Sequence, residues 1–158
     1  MYKHVRDNKE SYDPALVGYV GFALSYSGKW FGGWCRDSKG QRDYVSESFR
    51  NAKEQFPKLS GVMFENCSYD KLDIPKNSTI YCDPPYKGTT EYKNGKFDHD
   101  KFYDWCIYNA RNGCKVFVSE YAIENENFKK IWSKSVNSSL TKDTGGKTAV
   151  ECLFKVIV

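Results

Sequence analysis

Ser78-Thr79-Ile80-Tyr81-Cys82-Asp83-Pro84-Pro85-Tyr86 is the stretch that decides how this chain of 158 residues is read. Its first five residues have the β-branched and aromatic character of a strand. Two consecutive prolines then remove the N–H donors that a sheet ladder needs, so the chain must leave the sheet at Asp83. Phe97 to Asn112 follows as a helix, with Asp98 as its N-cap and Gly113 as its stop. Lys115-Val116-Phe117-Val118-Ser119 is the next strand. Strand, helix and strand in succession predict an α/β sheet, in which ligands bind beyond the carboxyl ends of the strands. Asp83 stands at such an end.

Working outward, Asn125 to Trp132 is predicted as a short helix and Ser135 to Ser138 as a weak strand. Val150 to Val158 is predicted as a closing apolar strand. Upstream, Val62 to Asn66 reads as a strand and Ser68 to Leu72 as a short turn or helical piece. Ser46 to Phe56 reads as a helix capped by Ser46 and ended by Pro57. Ser27 to Arg42 is rich in glycine, aromatics and basic residues, with a turn at Asp37-Ser38-Lys39-Gly40. Pro14 to Tyr26 is predicted to be a short helix leading into a loop, and polar residues 1–13 to be frayed or part of a missing element. No internal repeat is visible.

The length suits one compact domain with a real core. Hydrophobic residues make up 40%, and no run approaches the roughly 20 apolar residues of a membrane span. No apolar signal core follows Met1-Tyr2-Lys3-His4-Val5-Arg6. These features predict a soluble, cytoplasmic protein. The six cysteines form no C-x-x-C pair and lie apart from His4 and His99. Most are expected to be small buried hydrophobes, and no metal is expected. The net charge is +4. Lys29, Arg36, Lys39, Arg42, Arg50 and Lys53 are interleaved with Trp30, Phe31, Trp34 and Tyr44. That mixture suits a phosphate backbone, although a solvated basic surface over core aromatics gives the same pattern.

The chemistry of the central motif is more specific. Asp83 offers carboxylate acceptors, and the prolines keep their carbonyls while lacking donors. Tyr86 adds a flat ring. Together they suit a planar group bearing an amine, such as the exocyclic amine of a nucleobase.

Asp83-Pro84-Pro85-Tyr86 resembles the catalytic motif of amino-methylating DNA methyltransferases. The neighbouring segments narrow the resemblance to the DNA adenine methylase (D12 class, N6-adenine-specific) family. Leu16 to Phe22 and Ser25 to Gly33 resemble the segment entering the family's target-recognition region. Asn66-Cys67-Ser68-Tyr69 resembles its contact to the cofactor adenine. Val116 to Tyr121 resembles the strand after the catalytic helix, and Val150 to Phe154 the closing strand. Cytosine-N4 and RNA methylation share the motif chemistry; the neighbouring segments favour adenine in DNA.

The resemblance implies a partial Rossmann-like methyltransferase sheet with helices on its faces, plus a small helical or hairpin recognition region. Residues 1–60 would be that DNA-binding region, and 61–158 the catalytic part. The methyl donor would be S-adenosylmethionine, and the target an adenine flipped out of double-stranded DNA. Asp83, Pro84, Pro85 and Tyr86 would be catalytic, and Asp83, Ser68 and Tyr69 would touch the cofactor. Lys29, Trp30, Arg36, Lys39, Arg42 and Tyr92 are the candidates for DNA contact. For Trp30 and Tyr69 a packing role is the competing expectation. The family's Gly-rich cofactor loop has no counterpart in this sequence. A longer protein, a split enzyme with a separate partner chain, and a non-catalytic DNA-binding remnant are the three explanations. Host protection, restriction-modification and regulation all remain open as biological roles.

Overall fold

The computed structural model describes residues 1–37, 39–87, 97–138 and 147–158, with backbone alone at 136–138, 147 and 148. The chain forms two compact units, Met1–Glu65 and Asn66–Val158.

The first unit is helical. Helix α1 (Tyr2–Asp7) and helix α2 (Pro14–Ala23) bury Tyr2, Val5, Val17 and Val20 together with Leu24. Residues 1–13 are therefore not frayed: Tyr2 and Val5 are anchors of this small core. The Ser25 hydroxyl donates to the Gly21 carbonyl (2.7 Å), so it accepts from the Tyr2 hydroxyl at 2.6 Å. Asp13 caps α2 by accepting from the Ala15 N–H at 2.8 Å, and Pro14 occupies the first turn, where no donor is needed.

The glycine-rich segment then folds back on α2. The Phe31 N–H donates to the Gly21 carbonyl at 2.8 Å, and the Cys35 N–H to the Leu24 carbonyl at 3.0 Å. This return is possible because position 21 has no side chain. A Cβ there would lie 2.3 Å from Trp30 Cζ3 and 2.9 Å from Phe31 Cε2. Helix α3 (Tyr44–Gln55) starts earlier than expected. Asp43, not Ser46, is its cap: Asp43 Oδ1 accepts from the Val45 and Ser46 N–H groups, both at 3.1 Å. Ser46 lies inside the helix and its hydroxyl donates to Asp43 Oδ2 at 2.7 Å.

The second unit holds a mixed four-stranded sheet in the order β1-β2-β4-β3. Strand β1 (Thr79–Cys82) runs parallel to β2 (Lys115–Glu120), with Ile80 opposite Val116. A parallel neighbour requires a crossover, and α4 (His99–Arg111) provides it. Asp98 caps α4 through the Lys101 N–H at 3.0 Å. The helix ends at Gly113, whose φ of +93° turns the chain toward β2 at little cost for a residue without Cβ.

Strand β4 (Lys147–Val156) is antiparallel to both β2 and β3 (Phe128–Ser138). Alternation along the strands aims Val116, Val118, Cys152, Phe154 and Val156 at one face, where α4 contributes Phe102, Tyr103, Cys106, Ile107 and Ala110. The opposite face leaves Tyr81 63% and Trp132 51% exposed.

Two expected elements are corrected. Residues 125–132 do not form a helix: Asn125 makes a turn, with the Phe128 N–H donating to its carbonyl at 3.0 Å, and β3 begins at Phe128. An irregularity in pairing between Lys130 and Trp132 leaves Ile131 and Trp132 both exposed, which conceals the strand's alternation. Val62 to Asn66 forms no strand and pairs with none among the described residues. Met63 and Phe64 are 83% and 77% exposed there.

Candidate active site

Strand β1 delivers Asp83 to the carboxyl end of the sheet, where it is exposed. Pro84 is buried, and Pro85 and Tyr86 are half-buried. The four residues thus present one accessible carboxylate above a packed base.

The base is held by β2 and α4. The Tyr86 hydroxyl lies 2.6 Å from the Ser119 hydroxyl, and the Tyr86 ring meets Tyr121 edge-on at 4.6 Å. The Lys87 N–H donates to Glu120 Oε2 at 3.0 Å, and the Tyr121 N–H donates to Glu120 Oε1 at 2.8 Å. His99 Nε2 lies 2.9 Å from the Pro85 carbonyl. A carbonyl can only accept, so Nε2 is the nitrogen that carries the hydrogen. The same nitrogen is 3.8 Å from Glu120 Oε2.

Burial pushes the Tyr86 hydroxyl up to about 12; the Ser119 hydrogen bond opposes this and the Asp83 charge adds to it. Tyr86 is therefore a neutral phenol at physiological pH. A cavity of about 340 Å³ lies beside the motif, and Lys87, Asp100, Tyr103, Glu120 and Tyr121 contribute to its lining. The buried Tyr103 hydroxyl has no hydrogen-bond partner among the described residues. Burial, followed by the Glu120 charge, raises it to about 12 as well.

The other expected site residues are distributed differently. Tyr69 packs edge-on against Phe102 at 5.3 Å and Trp105 at 5.2 Å, so its ring belongs to the aromatic layer over α4. Burial raises its hydroxyl above the ordinary range. Ser68 is exposed and precedes a single turn. Its neighbour Asp70 pairs with Lys101 at 2.6 Å, which holds the Asp70 carboxyl below its ordinary range.

Lys29, Trp30, Arg36, Lys39 and Arg42 all lie in the first unit. Lys29 and Lys39 are exposed. Trp30 is half exposed and packs against Phe22 and Phe31, each at 4.7 Å between ring centres. Arg42 is engaged by Glu47 through two contacts of 2.6 Å, and its guanidinium lies 4.7 Å from the centre of the Tyr44 ring. The Glu47 hydrogen bonds push Arg42 still higher and hold Glu47 low. Tyr92 lies outside the described residues. Cys106, Cys114 and Cys152 are buried, whereas Cys35 and Cys82 are half-buried and Cys67 is exposed. Burial thus describes three of the six.

Sequence reasoning missed His99, Ser119 and Glu120. One signal was available for Glu120. It continues the alternation of Val116 and Val118, so an acidic residue occupies a core-facing position at the end of an apolar strand.

The family model of D12 class N6 adenine-specific DNA methyltransferases matches residues 16–144. The chain belongs to that family. The Asp-Pro-Pro-Tyr end of β1 lies within the matched residues. No curated protein matches the chain. Among the described residues, no helix is long and apolar enough to cross a membrane.

Proposed function

We propose that this chain directs methyl transfer from S-adenosylmethionine to N6 of an adenine turned out of double-stranded DNA. The observation that carries this reading is the exposed Asp83 carboxylate at the end of β1, standing on a motif whose other residues are packed. When bound, S-adenosylmethionine supplies an electrophilic methyl group. The donor set suits such chemistry: Asp83 and the Pro84 carbonyl accept the two N6 hydrogens, so the nitrogen lone pair is left directed outward. The same acceptors stabilise positive charge that grows on N6. The Tyr86 ring, neutral and held edge-on by Tyr121, offers a surface for the base. Fixed orientation supplies the rest of the acceleration.

The cofactor side rests on Asp83 and Ser68. Tyr69, already enclosed by Phe102 and Trp105, would contribute through its remaining edge. A Rossmann-like arrangement is supported by the parallel β1-α4-β2 crossover next to an antiparallel closing strand. Lys29, Arg36, Lys39 and Arg42 would neutralise phosphates from the first unit, and Trp30 would add an aromatic contact. Residues 88–96, which contain Tyr92, begin two positions after Tyr86 in sequence.

Labelled S-adenosylmethionine and mixed-sequence duplex DNA test the proposal. Label on adenine N6 is expected, and Asp83→Ala should abolish transfer with an unchanged melting curve. Label on cytosine, or transfer that survives in the variant, would refute it.

A second reading has its own observation. Strand β1 ends the sheet order, so one edge of the catalytic strand has no partner among the described residues. If a further segment or separate chain pairs there and holds the methyl donor, this chain alone binds DNA without binding cofactor. Calorimetry with S-adenosylmethionine separates the readings, since the second predicts no heat and salt-sensitive DNA binding.

A further inference from the structure

Glu120 has 0% exposure, and among the described residues it forms no ion pair with lysine or arginine. A buried carboxyl group is costly unless donors meet it. Both of its oxygens are met by main-chain N–H groups, from Tyr121 and from Lys87, the residue that follows the motif. His99 reaches the same region from the first turn of α4 and donates to the Pro85 carbonyl. The peptide units on either side of Tyr86 are therefore each tied to a side chain from a different element. Ser119 fixes the far end of Tyr86 itself.

The geometry points to Glu120 and His99 as positioning residues of the methyl-transfer site. They touch no substrate. They fix the two peptides that flank Tyr86, and through them the plane of its ring relative to Asp83. The inference rests on the methyltransferase reading for its catalytic consequence, but the clamp is a property of the fold and is measurable without turnover.

The test uses the full chain and the Glu120→Gln, His99→Phe and His99→Gln variants. In Glu120→Gln the amide group has one acceptor oxygen for two N–H donors. Exchange of the Lys87 amide hydrogen, followed by nuclear magnetic resonance, should accelerate at least about tenfold while most core amides keep their protection. Turnover should fall about tenfold to a hundredfold, with KM for DNA changed by less than about twofold, as expected for misplaced reacting groups. His99→Phe should lower turnover similarly, and His99→Gln, whose amide can donate to Pro85, should restore part of it.

An unchanged Lys87 exchange rate in Glu120→Gln overturns the clamp. Faster exchange with unchanged turnover overturns its catalytic consequence. If Glu120→Gln fails to fold, the two His99 variants decide: equal turnover in both refutes the inference. If the wild-type chain transfers no methyl group, the methyltransferase reading fails separately. The clamp is then judged on Lys87 exchange and on the His99 Nε2–H resonance, which should be slowly exchanging in the wild type and lost or faster in Glu120→Gln. A rapidly exchanging wild-type signal overturns it.

Discussion

Helices α3 and α4 begin alike and end up with different work. They have 12 and 13 residues, and each is capped by an aspartate whose side chain accepts main-chain N–H groups. Yet α4 buries six residues and α3 buries none. The cap sets where a helix starts, and packing decides how much it contributes. In the second unit the apolar face of α4 closes on β2 and β4, and that closure is what brings His99 to the motif. In the first unit the tight packing lies elsewhere, where the glycine-rich return crosses α2 at Gly21.

Five measurements probe this difference. Phe102→Ala in α4, at a position 3% exposed, should cost about 3–5 kcal/mol in a urea melt. Phe49→Ala in α3, at a position 64% exposed, should stay within about 0.5 kcal/mol; a loss as large as that at Phe102 would show that α3 is buried in solution. Gly21→Ala should cost about 1–3 kcal/mol by driving a methyl group into the Trp30 ring, and Trp30→Ala in the same chain should recover part of the loss. Asp98→Ala and Asp43→Ala should each cost about 1 kcal/mol, equal despite the unequal burial of their helices. Tyr86 and Tyr103 give the smallest effect. Their hydroxyls titrate near 12 in the fold, above the ordinary value of about 10, so the folded state favours the neutral phenol. That preference contributes stability fully below about pH 10, and it is lost as the pH rises from there through 12. Absorbance titration should show these two among the last tyrosines to ionise, and early ionisation of either would contradict its burial.

The central half of the second unit was legible because its signals are local. A run ending in two prolines, a capped helix and a glycine stop each act within a few residues. Their sum places Thr79–Cys82, His99–Arg111 and Lys115–Glu120 close to their expected limits. Of strand β3, only the last four residues, Ser135–Ser138, were legible. Its identity depends on pairing with β4 across residues 139–146, and the shift near Lys130 erases the alternation that would have announced it. Helix α1 was missed for a related reason: Tyr2 and Val5 are anchors only because α2 and the segment around Trp34 meet them. Of the candidate site, Asp83 to Tyr86 could be read directly. The clamp could not, because His99 and Glu120 reach the motif from positions 14 and 33 residues away in sequence.

The two prolines have an effect beyond the site they shape. Among the described residues strand β1 lies at the end of its sheet, and an open edge invites pairing by a strand from any other chain. Here an intruder would find only Thr79–Cys82 to pair with, and then two residues with no N–H to offer. The chemistry of Asp-Pro-Pro thus also limits self-association. Replacing Pro84 and Pro85 with residues that extend the ladder should make the protein more prone to aggregate, even where the fold tolerates the change.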